Sequence, residues 1–161
     1  MHFINTTTGY IVGWGGKIKK TTSGGSLWIS QTSGTIYNLY SVYFLNENTG
    51  YAVGDSGKIL KTTNGGSNWI TQISGTPSCL YSVYFTDTNS GYSLGSNGIV
   101  LKTTDGGITW NNMSCGTRTL YSIYFPTPNT GYSIGDYGTI LKTTDDGMTW
   151  SALSSGTIAM L

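Results

Sequence analysis

The stretch Lys102 to Trp110, "KTTDGGITW", gathers a pair of hydroxyls, a carboxylate, two glycines and an indole into nine residues. A carboxylate and hydroxyls on tightly turned backbone could supply a general acid, a nucleophile or oxygen ligands for a metal ion. Three near-copies test that chemistry: "KTTSGGSLW" from Lys20 to Trp28, "KTTNGGSNW" from Lys61 to Trp69, and "KTTDDGMTW" from Lys142 to Trp150. The acidic position is Asp105 and Asp145 in two copies, Asn64 in a third and Ser23 in the first. Charge is therefore dispensable, and a short hydrogen-bond acceptor is what the copies share. The stretch is read as a structural turn. An Asp or Asn at its start accepts bonds from backbone N–H groups a residue or two ahead, and the preceding threonines add local bonds of the same kind. The tryptophan buries its ring between neighbouring units.

The elements that hold these turns follow from the repetition. Trp28, Trp69, Trp110 and Trp150 stand 41, 41 and 40 residues apart, and Gly-Tyr pairs keep the same beat at Gly9, Gly50, Gly91 and Gly131. The phrase "LYSVYF" begins at Leu39 and Leu80 and returns as "LYSIYF" at Leu120. A period of this length marks a solenoid, propeller or array. The repeats divide a single domain, 1–161, into 1–38, 39–79, 80–119 and 120–161. Within Leu80–Thr119 the β-branched and aromatic "LYSVYF" predicts a strand, "GYSLG" a second, "IVLKTT" a third covered on both faces, and "ITWNNM" a fourth, with "DGG" as the hairpin turn. Four short strands joined by turns make an antiparallel blade, so the chain reads as an all-β propeller with four blades of four strands. Hairpin-length turns disfavour a β-solenoid, whose coils stack in parallel.

These residues carry a family resemblance. Thr103-x-Asp105-x-Gly107-x-Thr109-Trp110 and Thr143-x-Asp145-x-Gly147-x-Thr149-Trp150 resemble the Asp-box, or bacterial neuraminidase repeat. Asn64, Gly66 and Trp69, and Ser23, Gly25 and Trp28, hold the equivalent places in the other copies. The wider phrase, "GY-x-[VLI]-G" followed by "G-x-[IV]-L-K-T-T-[ND]-G-G-x-x-W", is similar to the propellers of photosystem II stability/assembly factors and their secreted bacterial relatives. The resemblance covers essentially the whole chain and implies the propeller fold. It points to an extracellular or periplasmic protein, although "MHFINTTTGY" has no charged region leading into an apolar stretch and is not expected to be a signal peptide.

Composition bears on function by exclusion. The 161 residues carry a net charge of +1 and only 9% charged residues, which gives no field to draw nucleic acid or an anionic membrane. No apolar run approaches the roughly 20 residues of a membrane span. Sialidases with Asp-boxes hold the substrate carboxylate in an arginine cluster and use a Tyr/Glu pair. This chain has one arginine, Arg118, one glutamate, Glu47, and one histidine, His2, so that site cannot be assembled within one chain. A glycosidase needs two placed carboxylates. Asp55 and Asp136 occupy equivalent positions but read as turn formers, as do Asp87 and Asp146. Cys79 and Cys115 fall at different repeat positions and read as small unpaired hydrophobes, with a disulfide between them left open. No enzyme, cofactor or metal site is expected.

Binding surfaces are the better candidates. Twelve tyrosines, five tryptophans and four phenylalanines bring aromatics to 13%. Each complete first strand carries a pair: Tyr40/Tyr43, Tyr81/Tyr84 and Tyr121/Tyr124. One member could line the central channel and meet a protein or glycan ligand, or both could pack between blades. Lys20, Lys61, Lys102 and Lys142 are expected as separate solvated charges. The arginine-rich patch associated with photosystem contact in assembly-factor members has no counterpart beside the lone Arg118. At the ends, Met1-His2-Phe3 replaces Val42-Tyr43-Phe44, and "SSGTIAML" matches "CGTRTL" up to Leu161, which would open a following strand. Joining these ends would close either a four-bladed monomer or, as favoured here, a ring of two chains. A repeat fragment that only folds and assembles is the third reading.

Overall fold

The computed structural model describes residues 1–113 and 115–160. Among the described residues sixteen short strands form four antiparallel sheets, one per repeat. Blade 1 contains β1 (His2–Phe3), β2 (Gly9–Val12), β3 (Ile18–Thr21) and β4 (Ile29–Gln31), and blade 2 contains β5 (Leu39–Phe44), β6 (Gly50–Gly54), β7 (Ile59–Thr62) and β8 (Ile70–Gln72). Blade 3 holds β9 (Leu80–Phe85), β10 (Gly91–Gly95), β11 (Val100–Thr103) and β12 (Asn111–Asn112). Blade 4 holds β13 (Leu120–Tyr124), β14 (Gly131–Gly135), β15 (Ile140–Thr143) and β16 (Ser151–Leu153). Within each blade the strands lie in sequence order, as hairpin connections require.

The fourth strand departs from its expected limits. "ITW" lies outside it, and β12 spans only Asn111–Asn112. The turn between β11 and β12 is a wide loop, with Gly106 and Gly107 at φ 65° and 84°. This loop uses the following threonine and tryptophan to close itself, so the ladder resumes only after Trp110. Blade 1 takes its inner strand from its own His2–Phe3, paired to Tyr10 and Gly9. The strand expected to begin at Leu161 lies outside the described residues.

Among the described residues three hydrophobic clusters sit at the joints between successive blades. Between blades 2 and 3 they bring together Tyr51, Val53 and Ile59 with Leu80, Val83, Phe85, Leu101 and Trp110. Tyr10, Ile18, Phe44 and Trp69 hold blades 1 and 2 together, and Tyr92, Leu94, Phe125 and Trp150 hold blades 3 and 4. The middle strands β6, β7, β10 and β11 are apolar on both faces because each is covered by a blade on either side. First strands of adjacent blades meet directly: the Val83 N–H donates to Ser41 Oγ at 3.4 Å. They form the inner edge of the blades. Among the described residues these three clusters join blade 1 to 2, 2 to 3 and 3 to 4.

Candidate functional site

The Asp-box turns come first, because their residue types could have done chemistry. In blade 3, Thr103 Oγ1 accepts from the Gly107 N–H at 2.8 Å and donates to Asp105 Oδ1 at 2.8 Å. Asp105 Oδ1 also accepts from the Thr109 N–H at 2.9 Å, and Oδ2 accepts from the Thr109 hydroxyl at 2.6 Å. Asp145 repeats the pattern with Thr143, Gly147 and Thr149. Asn64 Oδ1 takes the N–H of Asn68, and Ser23 Oγ that of Leu27, at 2.9 and 3.0 Å. The bonded N–H thus lies four residues ahead, further than a tight Asx turn reaches, which is why the loop is wide. Both oxygens of Asp105 and Asp145 are engaged, and the threonine hydroxyl and N–H bonds hold each carboxyl down at about 2. Such a group stays ionised near neutrality and has no proton to give. Among the described residues no three His, Cys, Asp or Glu side chains gather where they could hold a metal ion.

The second feature is a clamp between blades. Tyr10 Oη donates to the Gly65 carbonyl at 2.9 Å and Lys20 Nζ to the same oxygen at 3.1 Å. Tyr51 and Lys61 do the same to Gly106 O at 2.7 and 2.6 Å. Each pair belongs to one blade and its acceptor to the Asp-box turn of the next. The Tyr10 and Tyr51 rings stack on Phe44 and Phe85 with centroids 3.7 and 4.0 Å apart, and Trp69 and Trp110 meet those phenylalanines edge-on. A Cβ on Gly107, already at φ 84°, would lie 3.0 Å from the Tyr51 ring, so glycine is required where the tyrosine covers the turn.

The lysines are therefore not the solvated charges expected. Lys20, Lys61 and Lys102 lie along buried tyrosine rings and cap carbonyls, and Lys102 is only 6% exposed, while Lys142 lies over the partly exposed Tyr132. At the third joint Asp146 stands where the other turns have glycine, in the left-handed region at φ 58°. Its carboxylate pairs with Lys102 Nζ at 2.7 Å and also receives the Tyr92 hydroxyl. Burial, followed by the hydrogen bond and charge of Asp146, pushes the Tyr92 phenol far up. A signal for the clamp was present in the sequence: four of only eight Lys and Arg residues occupy this one repeat position.

The tyrosine pairs of the first strands separate into two rows. Tyr43 and Tyr84 reach into the next blade, donating to the carbonyls of Phe85 at 3.0 Å and Phe125 at 3.2 Å. Tyr124, the next in that row, is 59% exposed. Tyr40, Tyr81 and Tyr121 form a ladder along the inner edge, with successive ring centroids 5.2 and 5.5 Å apart. Each stands at an irregularity in its ladder, between Leu39 and Ser41, opposite Leu94/Gly95, and between Leu120 and Ser122. A bulge of this kind lifts one side chain out of the strand's alternation and re-aims it.

Carboxylates tie the ladder down. Tyr40 Oη donates to Asp55 Oδ1 at 2.7 Å and Tyr121 Oη to Asp136 Oδ1 at 2.9 Å, which raises both phenols. Blade 3 has Ser96 in the place of these aspartates, and its Oγ accepts from the Cys79 N–H at 3.0 Å. Cys79 Sγ donates to Asp55 Oδ1 at 3.3 Å. Cys79 and Cys115 are free thiols, and burial pushes Cys115 up to about 11. Asp87 accepts from the N–H groups of Asn89 and Ser90 within its turn. The strand 2–3 turns and strand 4–1 connectors share the end of the blades that holds this ladder. That end also displays Trp14 and Tyr137, 77% and 64% exposed, with the Arg118 guanidinium 4.2 Å above the Tyr137 ring.

Four-stranded blades locked through Asp-box turns define the class: an Asp-box β-propeller. Residues 67–154 match the family model described as photosynthesis system II assembly factor YCF48, and the chain belongs to that family. A search of curated protein sequences found no match. Among solved structures, YCF48 bound to a D1 peptide superposes with a TM-score of 0.61 at 17% identity, covering 93% of this chain and 80% of the other. YCF48 from Cyanidioschyzon merolae gives 0.71 at 14% identity, covering 94% and 57%. An ancestral GH74 enzyme gives 0.79 at 18% identity, covering 96% of this chain but 23% of its own. The chain thus spans a little over half of one similar structure and about a quarter of another.

Proposed function

We propose that this chain is a non-enzymatic binding propeller whose ligand is a protein segment, held on the inner-edge ladder Tyr40–Tyr81–Tyr121. The observation that carries this reading is the ladder itself. Three rings are lifted from their strands by bulges and spaced 5.2 and 5.5 Å apart, and the outer two, Tyr40 and Tyr121, are anchored through Asp55 and Asp136. Tyr40 and Tyr121, fixed at their hydroxyl tips, and Tyr81, packed between them, offer apolar faces at little entropic cost. The aspartates also accept hydrogen bonds, which suits the N–H groups of an extended peptide. Membership of the YCF48 family supports a protein ligand, as does the similar propeller bound to a D1 peptide. Against catalysis, Asp105 and Asp145 are consumed within their turns. The resemblance to GH74 enzymes is one of fold at 18% identity.

The test is a peptide-display selection that includes D1 segments, followed by titration of the enriched peptides against the chain and its Tyr40→Ala/Tyr81→Ala/Tyr121→Ala variant. Saturable binding, weakened at least about tenfold in a variant that unfolds like the parent, is expected. Failure to enrich any peptide, or binding indifferent to the three rings, would overturn the reading. Binding of a glycan array through the same rings, without peptide binding, would replace it with a lectin.

A further inference from the structure

The ladder rests on two carboxylates that no cation of the described residues balances. Asp55 and Asp136 each use Oδ1 to accept a ladder hydroxyl, from Tyr40 and Tyr121, and Asp55 Oδ1 also takes the Cys79 thiol. Among the described residues Oδ2 of each accepts no hydrogen bond, and the one ion pair, Lys102–Asp146, lies at the joint between blades 3 and 4. Two basic groups at this end of the blades are engaged elsewhere. Arg118 lies over Tyr137, and Lys58 Nζ stands 5.3 Å from the Tyr37 ring centroid.

Both charges bear on the middle rung. Blade 3 carries Ser96 where blades 2 and 4 carry Asp55 and Asp136, so Tyr81 has no carboxylate from its own blade. Burial, then the Cys79 thiol, then the charges of Asp55 and Asp136 push its phenol up, so the ring lies in the field of both. A tyrosine face is itself the negative side of the ring quadrupole. Unneutralised carboxylates beside such faces attract a cation and repel an acidic ligand. Of the cationic side chains arginine suits both features: its planar guanidinium stacks on a ring while its edge donates to carboxylate oxygens, whereas a lysine ammonium is compact and strongly hydrated. The chain makes the stacking contact itself at the same end, with the Arg118 guanidinium 4.2 Å above the Tyr137 ring.

We infer that the protein segment bound by the ladder is recognised through an arginine side chain, whose guanidinium stacks at Tyr81 and donates to the open carboxylate oxygens of Asp55 and Asp136. The inference rests on the protein-segment reading above and adds to it the chemistry that selects the segment. Affinity should therefore fall as salt is raised.

The probes are the peptide acetyl-Gly-Ser-Arg-Ser-Gly-amide and its citrulline twin, which keeps the shape of arginine without the charge. Titrated against the chain and followed by NMR of the tyrosine rings, the arginine peptide should shift Tyr40, Tyr81 and Tyr121 saturably, with a dissociation constant of about 1 mM. The citrulline peptide should bind at least about tenfold more weakly, as should the arginine peptide to Asp55→Asn/Asp136→Asn. That variant loses both charges but keeps an oxygen for each tyrosine hydroxyl, so its near-ultraviolet circular dichroism should match the parent. Asp87→Asn, which removes a carboxylate from the β9–β10 turn, should bind as the parent does. No shift with the arginine peptide, equal binding of the citrulline peptide, undiminished binding by a folded asparagine pair, or an equal loss in Asp87→Asn would overturn the inference. The citrulline comparison uses the unaltered chain and holds even if the variant unfolds. Display-selected peptides that need the three rings but no arginine would leave the binding propeller standing and remove this inference alone.

Discussion

Tyr51→Ala is expected to cost about 3–5 kcal/mol of unfolding free energy, the range for truncating a fully buried aromatic side chain. Tyr51 is 0% exposed, stacks on Phe85 at 4.0 Å and donates to the Gly106 carbonyl at 2.7 Å. The ring therefore belongs to blade 2 but is buried by blade 3. Removing it opens a cavity at the central joint and uncovers the Asp-box turn. Tyr51→Phe keeps the ring and should cost only about 1 kcal/mol, because Lys61 still satisfies Gly106 O at 2.6 Å. Urea unfolding followed by tyrosine and tryptophan fluorescence compares the two. Equal losses would show that the hydroxyl, rather than the packed ring, holds the joint.

Gly95→Ala should be nearly as damaging for a different reason. Gly95 has φ −176°, an extended conformation open to any residue, so conformational freedom is not at issue. Space is the constraint: a Cβ there would lie 1.7 Å from the Cys79 carbonyl oxygen and 2.9 Å from Leu80 Cα. Those atoms are backbone and cannot rotate away. The same carbonyl accepts from the Ser96 N–H at 2.9 Å, so relief of the clash breaks the bond that starts the strand 2–3 turn. Overpacking of this kind costs about 3 kcal/mol. Faster amide exchange at Ser96 should accompany the lower urea midpoint. A midpoint within error of the parent would contradict the close approach of β9 and β10.

The aromatic–glycine rhythm made the blades legible in the sequence. Gly91-Tyr92 and "LYSVYF" mark strands that can only be buried by a copy of themselves, and the 41-residue spacing sets their order. Drift of the acidic position from Asp105 to Ser23 likewise separated turn building from catalysis. The end of the Asp-box loop was harder to read. "ITW" has strand propensity, but Thr109 and Trp110 are drawn into the turn by Asp105 and the Phe85 ring, a tertiary demand that no local pattern reports. The lysines misled for a similar reason. A residue that is usually solvated lies here along a tyrosine ring and caps a carbonyl 45 positions away. The inner-edge ladder depends on bulges at Tyr40, Tyr81 and Tyr121. Their alternation with Tyr43, Tyr84 and Tyr124 becomes distinguishable only once the register is known.

The central claim is that "KTTDGGITW" is a joint needing an acceptor at Asp105, with no need for a catalytic charge. The pH dependence of thermal unfolding for the parent, Asp105→Asn/Asp145→Asn and Asp105→Ala/Asp145→Ala tests it most directly. Both carboxyls sit at about 2 in the folded chain, below the roughly 3.9 of an unfolded aspartate. Their contribution is therefore complete above about pH 4 and is lost as pH falls towards 2. The account predicts that at pH 7 the asparagine variant melts close to the parent and the alanine variant well below both. It also predicts that the parent's melting temperature falls more steeply than the asparagine variant's between pH 4 and 2. An asparagine variant as unstable at pH 7 as the alanine variant would contradict it, since the joint would then depend on charge.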